Sequence, residues 1–344
     1  MHAGTGSRLD APLAAERRLP PVAGGLALAI ALAAIATILG RRVPVVGPAV
    51  IAIVLGVLVR AVLDPGAWAA PGVAFASKKL LQVAIVLLGT GLSLGTVVHV
   101  GARSLPVMLV TLAVALGGGA LIGRLLGIDA PLRTLLSVGT GICGASAIAA
   151  VATVIEVEAV EVAYAISTIF VFNVAAVLLF PPIGHALGLS AHPFGLWAGT
   201  AVNDTSSVVA AGYAYSHAAG DYALVVKLTR TLLIVPIVLV LAALERRRSP
   251  HSGPERRATY VPPFLVGFLA AAALGSTGLL GAGVRHDLST LALFVVAIAL
   301  AAVGLSAQPR RIRAAGLRPL ALGGALWVLV ASTSLLVQAL TGLL

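Results

Sequence analysis

Residues 134–155 read TLLSVGTGICGASAIAAVATVI. No lysine, arginine, aspartate or glutamate occurs in this stretch, and it is long enough to cross the roughly 30 Å hydrocarbon core of a bilayer as a helix. Its centre, Ser137 to Ala150, nevertheless collects Gly139, Gly141 and Gly144 with Thr140 and Ser146, at a depth where lipid offers no hydrogen bond. Glycine lowers the cost of breaking a helix there, and the N–H groups freed at a break form an anion site at the positive end of a half-helix. The stretch predicts a membrane segment whose interruption serves a ligand.

The surrounding chain agrees with a membrane setting. Hydrophobic residues make up 59% of the 344 and charged residues 10%, with a mean hydropathy of +1.07, so too little polar surface exists to solvate a water-soluble fold. Runs of sufficient length give about eleven candidate helices, near 21–40, 43–63, 80–99, 105–126, 134–155, 160–182, 193–214, 222–244, 262–281, 288–305 and 318–341. The expected fold class is an all-α polytopic integral membrane protein with inverted repeats and two discontinuous or re-entrant segments. Residues 1–20 are expected to form a disordered cytoplasmic tail, and 21–344 a single transmembrane transporter domain.

A net charge of +11 raises nucleic acid as a partner, but the basic residues fall in short gaps between apolar runs and form no patch on a folded domain. The single cysteine, Cys143, excludes an internal disulfide and reads as a small packing residue. The histidines fall in tails or near helix ends and suggest no metal set, so neither a metal nor a cofactor is expected. Lysine and arginine favour cytoplasmic loops. Arg8, Arg17, Arg18, Arg60, Lys78, Lys79, Arg124, Arg133 and the segment ERRRSPHSGPERR at 245–257 accordingly place the N-terminus inside. Glu156, Glu158 and Glu161 then read as an outer loop.

A second interrupted segment is AGTAVNDTSSVVAAG, residues 198–212, where Asn203, Asp204, Thr205, Ser206 and Ser207 stand together inside a candidate span. An ionisable group at that depth is costly and usually has a role. GTGICGASAIAA from Gly139 and GTAVNDTSSVVA from Gly199 share Gly, Thr, Ser and Ala in register, which suggests paired half-sites. Two spanning segments separated by one helix would point the same way, so inversion requires one of them to be re-entrant. A separate match joins LLQVAIVLLGTGLS at 80–93 to LFVVAIALAAVGLS at 293–306, as an inverted repeat would.

The charges come from DYALVVKLTRTLLIVP, residues 221–236. Lys227 and Arg230 lie three apart and share a helix face. Two buried cations need a partner; Asp204 is one candidate and a bound anion the other. The planar fork of arginine suits a carboxylate or sulfur oxyanion, and lysine supplies a point charge.

GTGICGASAIAA, GTAVNDTSSVVAAG and VVKLTRTLLIVP, in this order and spacing, together resemble the YeiH-type sulfate exporter family over about Leu80 to Leu340. That resemblance implies membership of the sodium/proton antiporter and bile-acid symporter superfamily, with inverted repeats, crossing broken helices and a transport role. It implies a binding site at Gly139, Thr140, Gly141, Ile142, Cys143, Gly144, Ser146, Asn203, Asp204, Thr205, Ser206, Ser207, Lys227 and Arg230. The expected function is a secondary transporter moving a small inorganic or organic anion across the inner membrane by alternating access. Its expected partners are that anion, a coupling proton or sodium ion, the bilayer and a second copy in a homodimer. The competing reading is a sodium/proton-type cation antiporter using Asn203 and Asp204, with Lys227 as counter-ion. An intramembrane enzyme is more remote, for no HExxH or GxGD motif occurs and no histidine falls mid-span to activate Ser146. A structural scaffold would not need three ionisable groups in adjacent spans.

Overall fold

The computed structural model describes residues 22–42, 47–63, 65–248, 263–306 and 316–344. The expected tail at 1–20 and most of the basic segment at 245–257 lie outside them. All regular structure among the described residues is helical. It comprises α1 (Ala23–Arg42), α2 (Gly47–Leu63), α3 (Gly66–Phe75), α4 (Leu81–Gly89), α5 (Leu94–Leu125), α6 (Ala130–Gly141), α7 (Ala145–Val151) and α8 (Ala159–Ala186). There follow α9 (Ala191–Ala201), α10 (Thr205–Tyr215), α11 (His217–Leu232), α12 (Ile234–Arg248), α13 (Pro263–Ser276), α14 (Ala282–Leu305) and α15 (Leu317–Leu340). A π-helical turn, Ala76–Leu80, joins α3 to α4.

Among the described residues seven segments are long and apolar enough to cross a membrane: α1, α3 with α4, α5, α8, α11 with the start of α12, α14 and α15. Helices α2 and α13 are shorter and apolar. The expected span at 80–99 is displaced. The chain turns at Thr90–Leu92, and Ser93 caps α5 by accepting the N–H of Thr96, so the candidate spans run 66–89 and 94–125. A strong N-cap residue inside an unbroken apolar run decides this boundary.

The predicted segments near 134–155 and 193–214 do not cross the molecule; each is a hairpin of two short helices. Helix directions show it. In the packing of α5 on α6, Gly119 faces Ser137 and Gly123 faces Arg133, while against α15 Gly118 faces Leu329 and Gly123 faces Leu322, so α5 opposes both. Helix α15 runs with α8, since Gly323 faces Thr168 and Phe172 and Trp327 packs between Phe172 and Phe180. Thus α6 and α8 point the same way. Yet α6 climbs only to Ile169, near the middle of α8, where Gly139 and Gly144 both face that residue. There the chain folds back, bringing Ile148 of α7 against Gly139, and returns to begin α8 on the face where α6 began.

The second hairpin comes from the other side. Gly195 faces Ala219 and Tyr222, and Gly199 faces Ala223 and Val226, so α9 runs with α11. Gly212 faces Gly220, and Gly220 faces Tyr213, so α10 runs against α11. The hairpin closes where Tyr215 stacks on Phe194 at 3.8 Å and donates its hydroxyl to the Leu189 carbonyl. Gly199 permits the approach: a methyl there would stand 2.6 Å from Val226, the close contact that small residues four apart allow in membrane helices.

The chain order of hairpin, span, hairpin, span thus presents two tips to one another from opposite faces. We call the face where α8 begins the basic face, because Arg124, Arg133 and Arg318 gather there. Glu156, Glu158 and Glu161 lie on the same side, correcting their assignment to a loop across the membrane from Arg133; Glu158 and Glu161 form the capping box of α8. Helix α4 runs with α13, as Val86 faces Gly267 and Thr90 faces Gly275, and α14 turns back after α13. The matched stretches at 80–93 and 293–306 therefore run in opposite directions.

Candidate functional site

Each hairpin tip leaves backbone groups without a helical partner, and these must be satisfied inside the protein. At the first tip, α6 ends at Gly141, and Ile142, Cys143 and Gly144 make the turn. Gly144 has φ +66 and ψ −128, a conformation essentially reserved for glycine. At the second tip, α9 ends at Ala201, and Val202, Asn203 and Asp204 make the turn.

Lys227 joins the two tips. Fully buried, its Nζ donates to the Ile142 carbonyl at 2.7 Å and to the Val202 carbonyl at 2.8 Å. One ammonium therefore satisfies a freed carbonyl from each break. Arg230, one turn on and equally buried, donates Nη1 to the Thr200 carbonyl, while its Nε and Nη2 have no partner among the described residues. That edge is the one with which a guanidinium grips a carboxylate or oxyanion through two parallel bonds.

Asp204, one of the two candidate partners for these cations, does not pair with either in the structure. Its carboxylate caps α10, accepting the Ser206 N–H at 2.9 Å and the Ser206 hydroxyl. Its own N–H donates to Asn173 Oδ1 at 3.2 Å. A carboxylate of the chain itself thus satisfies the N-terminus of α10. Among the described residues neither Lys227 nor Arg230 makes an ion pair; the one carboxylate pair in view is His217 with Asp221. Two cations stripped of water without a counter-charge cost several kcal/mol.

The remaining predicted residues divide by depth. Gly139 and Gly141 are packing positions, set against Ile148 and Leu112. The Thr140 hydroxyl and Asn203 Oδ1 are buried without a partner among the described residues. Ser207 is buried in α10 and Thr205 half-buried. The Cys143 thiol is buried. Ser146 and Thr205 join Cys143 and Thr231 around a cavity of about 300 Å³ that also touches Ile234 and Phe264. Ala149, Ala150 and Thr153 also line it, on the limb of the first hairpin that returns from its tip, so this cavity lies on the basic-face side of the tips. A larger cavity of about 720 Å³ lies on the opposite side, and its floor is Val100, Leu196 and Val225. Residues Leu196 and Val225 stand about one turn short of Thr200 and Arg230.

Two contributors were not anticipated. Ser334 of α15 shares a 2.6 Å hydrogen bond with the Thr200 hydroxyl and accepts from Gln338 Nε2 at 3.2 Å. Both side chains are fully buried, and they tie α15 to the residue whose carbonyl holds Arg230. Their spacing of four in STSLLVQ is the available signal, since polar residues on one face of an apolar helix mark a buried contact.

Comparison with known proteins agrees with a membrane protein. Residues 24–323 match the model of the family described as Conserved hypothetical protein 698. The chain is 40% identical over 334 residues to a UPF0324 membrane protein of Clostridium tetani, covering 92% of this chain and 97% of that one. It is 42% identical over 339 residues to a UPF0324 membrane protein of Streptococcus pyogenes serotype M6, covering 95% and 98%. A UPF0324 membrane protein of Fusobacterium nucleatum is 37% identical over 339 residues, covering 93% and 98%. No solved structure matches. A polytopic helical chain matched to this family over most of its length, and to its membrane proteins nearly end to end, belongs to the Conserved hypothetical protein 698 family, the UPF0324 membrane proteins.

Proposed function

We propose that this protein is a secondary transporter of a small anion, which binds against the Nε/Nη2 edge of Arg230 where two re-entrant hairpins meet. The observation carrying this reading is that edge: fully buried, cationic and without a protein partner among the described residues. An oxyanion supplies both the counter-charge and the two acceptors it lacks. Sulfur oxyanions and small carboxylates, the class implied by the sequence resemblance, fit a site of this polarity.

The arrangement supports alternating access. Hairpin and following span form a unit, and the two units enter from opposite faces, as inverted repeats do. The 300 Å³ cavity reaches the tips, whereas Val100, Leu196 and Val225 close the other side. In this reading the basic face is cytoplasmic by the excess of lysine and arginine there, the membrane is the cell inner membrane, and the conformation is open inward. Hairpins meeting tip to tip replace the crossing broken helices that the resemblance implied. The cation-antiporter reading loses support because Asp204 is engaged with Ser206 and not with Lys227.

Thermal denaturation of purified protein with sulfate, sulfite, methanesulfonate, acetate or sodium tests the proposal. A ligand at about a hundred times its Kd adds about 2.7 kcal/mol to stability. We expect stabilisation by at least one anion, lost in Arg230→Gln. Stabilisation by sodium alone would move the assignment to the cation antiporter.

A further inference from the structure

The 720 Å³ vestibule on the side away from the basic face has a chemistry the inner site does not explain. Its wall carries His99 and Arg103 on α5 and His192 on α9, all three exposed. Tyr222 of α11 stacks on the His192 ring, centroids 4.9 Å apart and planes 30° apart, making an aromatic platform. The floor is apolar, formed by Val100, Leu196 and Val225. Asp221 also lines the space, but its oxygens are held by the Tyr213 hydroxyl at 2.5 Å and by His217 at 3.2 Å. A second nitrogen of His217 contacts Ser289 of α14 at 3.3 Å. The carboxylate is thereby turned to its own network; Leu343 and Leu344 also line the space, and Arg103 is the permanently cationic side chain among its lining residues. The volume is well above what a bare oxyanion fills and within the range of about 300–1,000 Å³ that holds organic ligands.

We infer that this vestibule is a second binding site, for an organic monoanion with a planar apolar body. Its acidic head is gripped by Arg103, its ring lies on the His192–Tyr222 platform, and its far edge rests on Leu196 and Val225. Such a ligand caps the floor above Thr200 and blocks the path to Arg230 from this face, so it inhibits without being carried. The binding does not depend on the inner site; the inhibition rests on the transport reading.

Isothermal titration of benzoate into protein in lipid nanodiscs, with sulfate titrated in parallel, is the test. We expect benzoate to bind wild type and its Kd to rise about tenfold or more in Arg103→Gln. Arg103→Lys, which keeps charge but not the fork, should fall between. Arg103 is exposed, so these variants should fold. Absence of benzoate binding at millimolar concentration overturns the inference. Equal affinity in Arg103→Gln overturns it too, as does loss of benzoate binding in Arg230→Gln with retention in Arg103→Gln, which would place benzoate at the inner site. Failure of the inner-site reading is distinct: sulfate or other oxyanions would then bind with no dependence on Arg230, whatever benzoate does.

Discussion

At the residue scale the site rests on two cations with different duties. Lys227 spends its protons on the Ile142 and Val202 carbonyls, so it holds the tips together, while Arg230 keeps its bidentate edge for a ligand. Hydrogen bonds to a charged group contribute about 1.5–3 kcal/mol each. Lys227→Ala should therefore lower the denaturation midpoint in the absence of ligand, and Lys227→Arg should recover part of the loss. An unchanged midpoint for the alanine variant would contradict the stapling role. Asp204 behaves differently. As the cap of α10 it is worth about 1 kcal/mol, and Asp204→Asn, an equally good cap, should leave both stability and anion-induced stabilisation near wild type. Loss of anion response in that variant would return Asp204 to the ligand set. Lys227, Arg230 and Asp204 were visible in the sequence because ionisable side chains are rare in apolar spans. Their pairing was not, because the acceptors of Lys227 are backbone carbonyls freed by breaks whose positions depend on packing.

At the element scale the hairpins turn on small residues. Gly144 holds a positive φ at the first tip, and an alanine there costs about 1–3 kcal/mol of backbone strain. Gly144→Ala should weaken anion binding along with stability, since the strain falls on the turn that offers Ile142 to Lys227. Gly199→Leu should act on the second hairpin by wedging α9 from α11 against Val226 and Ala223, displacing the Thr200 carbonyl that anchors Arg230. The expected result is a protein that reaches the membrane but shows no oxyanion-induced stabilisation. The measurement is detergent-extracted size-exclusion chromatography followed by the thermal assay. The glycine clusters were legible as interruptions; whether they kinked a spanning helix or reversed the chain was not. A reversal of direction adds no residue type that a kink lacks, and the decision lies in contacts with α8 and α11, which are separate in sequence from the tips.

At the scale of the whole molecule, two hairpins in place of two spans change which loops share a side. Residues before α6 and after α7 emerge together, as do those before α9 and after α10. The chain has a single native cysteine, Cys143, so single cysteines at Asp129 and at Glu156 in a Cys143→Ser background report this directly. Both should react with a membrane-impermeant maleimide from the same side. Reaction from opposite sides would mean that 134–155 spans. About eleven apolar segments were readable from run length alone, yet two of them are folded halves. Run length measures apolar material, not direction; the sequence signs of inversion were the likeness of the two clusters in register with one element between them and the match of 80–93 to 293–306. The acidic loop was misplaced for the same reason: counting every segment as a crossing moves Glu156, Glu158 and Glu161 across the membrane from Arg133.

Transport is the property that joins these scales, and counterflow measures it most directly. Proteoliposomes loaded with the oxyanion that best stabilises the protein should accumulate the labelled form of that anion from outside. Replacing Arg230 by Gln removes the fork at a buried site, where truncating one partner of a charge pair costs about 2–5 kcal/mol, and uptake should fall to the level of protein-free vesicles. Uptake by Arg230→Gln equal to wild type, or flux of sodium or protons with no anion movement, would contradict an anion path between the two hairpin tips.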